Sequence, residues 1–139
     1  MTEKVGEPLP ELKEFGIDLS MADVNDKMML VCFFDVQQRP SRNCMMELAK
    51  RSKELKEKDV IIIIVQASKV ERAKIDVWIK ENEIFFPVGM IEGNEEKTQS
   101  AWGIKSLPWL ILSDKQHIVR AEGFGLDELD EKIKTLRKK

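Results

Sequence analysis

The chain has 139 residues, 42% of them hydrophobic and 35% charged, and its 23 basic and 25 acidic residues leave a formal net charge of −2. That length and balance describe a soluble globular chain with one good core and exclude an intrinsically disordered one. Basic residues are interleaved with acids, as in Lys53, Glu54, Lys56, Glu57, Lys58 and Asp59, which makes a solvated helix face and argues against nucleic acid as a partner.

Neither apolar run, 28–34 or 60–65, is long enough to span a bilayer, so no membrane insertion is expected of this segment. The first twenty residues hold no apolar block of signal-peptide length. Either the protein is cytosolic, or a leader or a longer parent chain precedes it. The cysteines, Cys32 and Cys44, do not form a CxxC pair, and a single histidine, His117, cannot complete a usual zinc set. No disulfide framework, metal or cofactor is expected.

In chain order, residues 1–10 carry Gly6, Pro8 and Pro10 and read as an extended lead-in. Residues 20–26 predict a short helical turn ending at Asn25 and Asp26. The continuous apolar run 28–34 predicts a strand buried on both faces, as in a sheet with helices above and below. Residues 41–58 have helical spacing, with Met45, Leu48, Ala49, Ser52 and Leu55 on one face. The β-branched run 60–65 predicts a second buried strand. Ser68 and Glu71 have capping-box spacing for a helix to about Asn82, with Ile75, Trp78 and Ile79 inward. A short strand over 85–88 and a helix over 95–102, closed by Gly103, follow. Residues 109–112 and 117–121 predict a hairpin across the turn 113–116, and 126–136 an amphipathic helix. The whole is an α/β chain, parallel strands first and an antiparallel edge last, expected to be a single domain over 1–139.

Four segments in order at normal spacing then carry a resemblance: the lead-in Val5-Gly6-Glu7-Pro8-Leu9-Pro10, the strand-to-helix block 30–48, the strand 60–65 with its helix and Phe86-Pro87-Val88, and Gly103-Ile104-Lys105-Ser106-Leu107-Pro108-Trp109. Together they resemble the thioredoxin superfamily, in its TlpA/ResA-like "redoxin" branch. The resemblance implies a central mixed sheet flanked by helices, a cis-proline at Pro108, and work outside the cytoplasm for many members. It also implies a CxxC motif at the helix start. Here those positions read Gln38-Arg39-Pro40-Ser41.

Thiol–disulfide exchange needs one thiolate to attack and a second thiol to resolve the mixed disulfide. An amide and a hydroxyl can do neither, so exchange through positions 38 and 41 is chemically excluded. Where classical members carry a buried acid, this chain has Cys32, read as a core filler. The resemblance implies a groove in which the residue before the proline presents main-chain groups to an extended peptide. That groove would be lined by Gln38, Arg39, Leu107, Pro108 and Trp109 beside the unpaired N–H groups of the helix start. Trp109 also has a plain reading as a sheet-packing residue, and Trp78 and Trp102 read as core.

Cys44 lies nearly one helical turn inward from the helix start, close in sequence to Arg39 and Arg42, a setting that lowers a thiol pKa. Cys44, Met45 and Met46 also offer soft sulfur ligands, but Met45 is required in the core and His117 belongs to the late hairpin. Ser41 has no histidine placed to serve as its base. The leading expectation is a redox-inactive module binding a peptide or a partner protein. The alternative is a monothiol oxidoreductase or peroxide-reactive protein using Cys44, and a third reading is a spacer or dimerisation unit with no site of its own.

Overall fold

The computed structural model describes residues 5–17, 19 and 21–137. Residues 1–4 of the lead-in and Ser20, the expected start of the first helical turn, lie outside the described residues.

The apolar run of residues 28–34 forms β1 (Met28–Phe34), buried along its whole length. Side chains alternate across a strand, so Met28, Leu30, Cys32 and Phe34 enter one core while Met29, Val31 and Phe33 enter another. β2 (Val60–Gln66) runs parallel to β1, in register from Met28 opposite Val60 to Phe34 opposite Gln66. β3 (Val88–Met90) lies parallel outside β2. On the other side of β1 come β4 (Trp109–Ser113) and β5 (Val119–Glu122), both antiparallel. The sheet order is therefore β3-β2-β1-β4-β5, mixed as expected.

The described part of the lead-in is not extended throughout: it turns at Val5 and Gly6, where the φ of Gly6 is 90°, and then joins the β5 side, with Gly6 N–H donating to Val119 O, Leu9 N–H to His117 O, and Val119 N–H to Glu7 O, each at 2.8–2.9 Å. After it come a 3₁₀ turn (Lys13–Phe15) and the short α1 (Met21–Val24). The turn delivers Phe15 to the second core, where its ring meets Phe33 edge-on at 5.8 Å. The ring of Trp102 completes the cluster, 5.1 Å from Phe33, and its Nε1–H donates to Glu14 Oε1 at 3.1 Å. That bond supplies the partner a buried indole needs.

The first core is closed by helices. Instead of one helix over 41–58 there are two, α2 (Arg39–Lys50) and α3 (Ser52–Glu57), separated at Arg51, whose φ of −99° and ψ of 5° leave the helical well. Met45, Leu48 and Leu55 are still buried on the predicted face. The capping-box reading of Ser68 and Glu71 is not what forms: α4 (Arg72–Glu81) starts later, with no side-chain cap. Ser68 is occupied elsewhere, accepting hydrogen bonds from the Gln66 side chain. The stripe persists, with Ile75 buried and Trp78 and Ile79 half-buried against the first core. The short strand is shifted to 88–90 from the expected 85–88, because Phe85 points out, 89% exposed, before the chain reaches the sheet.

α5 (Glu95–Trp102) starts on Asn94, whose Oδ1 accepts from Lys97 N–H at 2.9 Å. It stops at Gly103, whose φ of 72° is one that glycine reaches without steric cost. A 3₁₀ turn (Leu126–Glu128) leads into α6 (Leu129–Arg137), which buries Leu129 and Ile133 in the first core.

The β4–β5 turn is organised by one carboxylate. Asp114 accepts from Gln116 N–H at 2.9 Å, Ile118 N–H at 3.0 Å and Arg120 Nε–H at 2.7 Å. Partial burial pushes its carboxyl up, but the Ile118 amide, the Arg120 guanidinium and the Gln116 amide outweigh this and hold it below the ordinary carboxylate range. A depressed folded-state value contributes stability that is complete above the unfolded value of about 3.9 and is lost as pH falls through the lower folded one. Asp114→Asn should cost about 1–2 kcal/mol at pH 7. Chemical denaturation at a series of pH values should show the gap between variant and wild type closing only below about pH 3.9. A gap independent of pH would mean that the charge is not what organises the turn.

Candidate functional site

The C-terminal end of β1 hands the chain to α2 through residues 35–38, and three side chains brace that loop. Asp35 is 7% exposed. Its Oδ1 accepts from Gln37 N–H at 3.0 Å and its main-chain oxygen from Gln38 N–H at 2.9 Å, an Asx-type turn. Gln66, the fully buried last residue of β2, reaches across: its Oε1 accepts from Val36 N–H at 2.9 Å, and its Nε2 donates to Asp35 Oδ1 and to both oxygens of Ser68, each at 3.1 Å. From α2, Arg42 Nη1 donates to Val36 O at 2.9 Å. The position of the helix start is thus fixed by Asp35, Gln66 and Arg42 together.

On this braced loop Gln38 and Arg39 are exposed, with Gln38 at the N-cap of α2 and Pro40 inside its first turn. Ser41 points inward and is fully buried, and its Oγ has no hydrogen-bond partner. The Leu107–Pro108 bond is cis. Leu107, Pro108 and Trp109 are all half-buried. Leu107 and Trp109 pack against the second core, whereas Pro108 lines a cavity on the first-core side. Trp109 also lies over Gly123, where a Cβ would come within 2.5 Å of the indole ring and where φ is +67°. Its Nε1 is buried without a partner.

The cavity beside Pro108 has a volume of about 300 Å³ and is bounded by Cys44, Leu110, Phe124 and Leu126, with Asn43 and Glu47 at its edge. Cys44 is buried, 8% exposed. Its thiol is held below the ordinary value by the neighbouring Cys32, against the opposing effect of burial, while the Cys32 thiol itself donates to Phe33 O at 3.8 Å. The expected cause, the arginines near the helix start, is not the one at work, and the Arg42 guanidinium is engaged with Val36 O. Cys32, fully buried, is pushed up, mainly by burial and then by Cys44 itself.

Neither the brace nor the burial of Cys32 and Cys44 in one core is expected from the sequence. Gln66 gave a signal, as a polar side chain closing an apolar strand. So did the parity of β1, which sends Cys32 to the face that α2 covers. His117, weighed as a soft-metal partner, sits apart in the β4–β5 turn with its Nε2 2.9 Å from Val24 O. Among the described residues no three His, Cys, Asp or Glu side chains converge as a metal set, and no helix is long and apolar enough to cross a membrane.

Sheet order and flanking helices define a thioredoxin-like fold. Residues 5–122 match the AhpC/TSA family, and the chain belongs to it, within the redoxin branch of the thioredoxin superfamily. The fold is shared with the C-terminal domain of a putative thiol-disulfide oxidoreductase from Bacteroides thetaiotaomicron, with a TM-score of 0.79, 17% identity and 96% of each chain covered. It is shared also with a thiol-disulfide isomerase from Corynebacterium glutamicum, at a TM-score of 0.75, 20% identity and 88% of each chain. A putative thiol:disulfide interchange protein DsbE from Chlorobium tepidum is similar at a TM-score of 0.68, with 16% identity and 84% of each chain covered. No curated protein matches the chain in sequence.

The brace and the orphaned hydroxyl make opposite predictions. Gln66→Leu strips the Val36 amide of its acceptor and should cost about 1–3 kcal/mol. Ser41→Ala removes a buried hydroxyl that has no partner and should leave stability unchanged or raise it. Thermal melts of the two variants test both. A Ser41→Ala loss comparable to that of Gln66→Leu would mean that the hydroxyl has a partner after all.

Proposed function

We propose that this chain is a binding module that holds an extended peptide, or an extended segment of a partner protein, at the start of α2 and leaves its disulfides untouched at positions 38 and 41. The observation that carries the reading is the pairing of a rigidly braced helix start, bearing Gln38 and Ser41 in place of thiols, with Pro108 and an adjoining cavity. An extended segment beside Leu107 would gain main-chain hydrogen bonds, and the cavity walls Pro108, Phe124 and Leu126 would take an apolar side chain. Gln38 and Arg39, both exposed, would contribute polar contacts and one positive charge. Because the relatives named for thiol–disulfide chemistry share only the fold at these identities, their activity is not carried over. An extracytoplasmic setting fits the same family and belongs to this proposal.

A second reading, an oxidoreductase using Cys44, is favoured by one observation: a thiol held below its ordinary value borders the cavity next to Pro108. The two readings differ in what they need from the groove.

Selection of displayed random peptides on the immobilised protein should enrich extended sequences with an apolar anchor. The enriched peptides should bind Leu107→Asp and Arg39→Glu at least about tenfold more weakly, a loss of about 1.4 kcal/mol, with circular dichroism confirming both folds. Equal affinity for wild type and both variants, or no enrichment over a blank surface, would show that the groove is not a binding site.

A further inference from the structure

β2 is longer than the strand that covers its outer edge. β3 pairs only with the end of it, from Ile64 opposite Val88 to Gln66 opposite Met90. Ile64 N–H donates to Pro87 O at 3.1 Å and Gln66 O accepts from Ile91 N–H at 3.0 Å, whereas Asp59 O accepts from Met28 N–H of β1 at 2.9 Å. Main-chain groups alternate sides along a strand, so the even-numbered residues of β2 face outward. The N–H and C=O groups of Val60 and Ile62 therefore point to the outer edge, where among the described residues they make no main-chain hydrogen bond. This stretch of β2 carries neither a charge nor a proline to blunt it.

A cavity of about 380 Å³ lies along the same edge. It is bounded by Val60 and Ile62 of β2, Lys53 and Lys56 of α3, and Phe85 and Phe86 of the segment before β3. Phe85 is the most exposed large apolar side chain among the described residues. Both charged groups on the lining are cations, and both are exposed. Glu54 beside them is engaged with Arg51 and Lys58, and among the described residues neither Lys53 nor Lys56 has an ion-pair partner.

These features select the occupant. Unpaired main-chain donors and acceptors on a straight edge call for an extended segment. A strand added there sends every second side chain toward α3 and the others over Ile61, which is half-buried on the opposite face. Antiparallel pairing with a second copy of this chain would keep both α3 helices on one face of the joined sheet and bring Lys53 and Lys56 against their own counterparts, a like-charge contact. We propose that the open edge of β2 at residues 60–62 takes an extended acidic segment of a partner protein as an added strand, its carboxylates on Lys53 and Lys56 and its apolar side chains over Ile61 and Phe85. The site lies at the end of β2 remote from the start of α2 and is independent of peptide binding beside Pro108.

The probe is a short capped peptide alternating glutamate and valine, with its lysine–valine counterpart as control, and the readouts are binding and amide hydrogen exchange of the folded protein. The acidic peptide should bind and slow exchange at the Val60 and Ile62 amides, and the basic one should bind at least about tenfold more weakly. Lys53→Glu combined with Lys56→Glu should invert that preference, with circular dichroism confirming the fold. The exchange measurement on wild type stands whether or not the double variant folds. No binding at about 1 mM acidic peptide, or equal affinity for the two peptides, would overturn the proposal. Slowed exchange at Leu107 with none at Val60 and Ile62 would place the peptide in the other groove and overturn it equally. Self-association of the double variant without acidic-peptide binding to wild type would mean that the lysines only guard the edge.

Discussion

Everything in this molecule is arranged around a strand that has no solvent face. β1 is buried at all seven positions, so each alternate side chain must find an apolar partner on its own side, and both sides must be covered. The even-numbered positions bring α2, α3 and α6 onto one face, and the odd-numbered ones bring Phe15 and Trp102 onto the other. A one-residue slip would exchange the two sets and bring Phe33 and Val31 against helices shaped for Cys32 and Leu30. Double burial therefore fixes the register of β1 against both β2 and β4, and with it the point at which the chain must leave the sheet.

That exit point is where the site lies. A strand buried on both faces ends in main-chain groups that still need partners, and here Asp35, Gln66 and Arg42 supply them. None of these bonds uses the side chain of residue 38 or 41. The brace that aims the helix start is thus separable from the chemistry placed on it, and the motif positions are free to change without loss of the loop's geometry. The buried, unpartnered Ser41 hydroxyl points the same way, since it contributes no hydrogen bond to the loop.

What the sequence made legible follows from range. The runs 28–34 and 60–65 announce buried strands through composition alone, and Gly103 announces a helix end, because these signals are carried by adjacent residues. The helix break at Arg51, the late start of α4 and the outward turn of Phe85 had no such mark in the adjacent residues. Ser68 shows the conflict most directly. Its spacing to Glu71 suits a cap, but Gln66 needs hydrogen-bond partners for a buried amide, and leaving that amide unpaired would cost more than forgoing a cap. The motif positions 38 and 41 were readable because they rest on a resemblance in sequence order, whereas the brace beneath them joins residues some thirty positions apart.

The same distinction bears on the cysteines. Read along the chain, Cys32 and Cys44 are twelve positions apart in different elements and look like separate packing choices. Small apolar side chains would fill either place, and a valine or an alanine would avoid burying a thiol. The strand parity fixed by the double burial of β1 sends Cys32 toward α2, and the helical repeat from the braced start sends Cys44 toward β1. The constraint that orders the core thus also places both thiols in the first core, where only Cys44 borders the cavity beside Pro108.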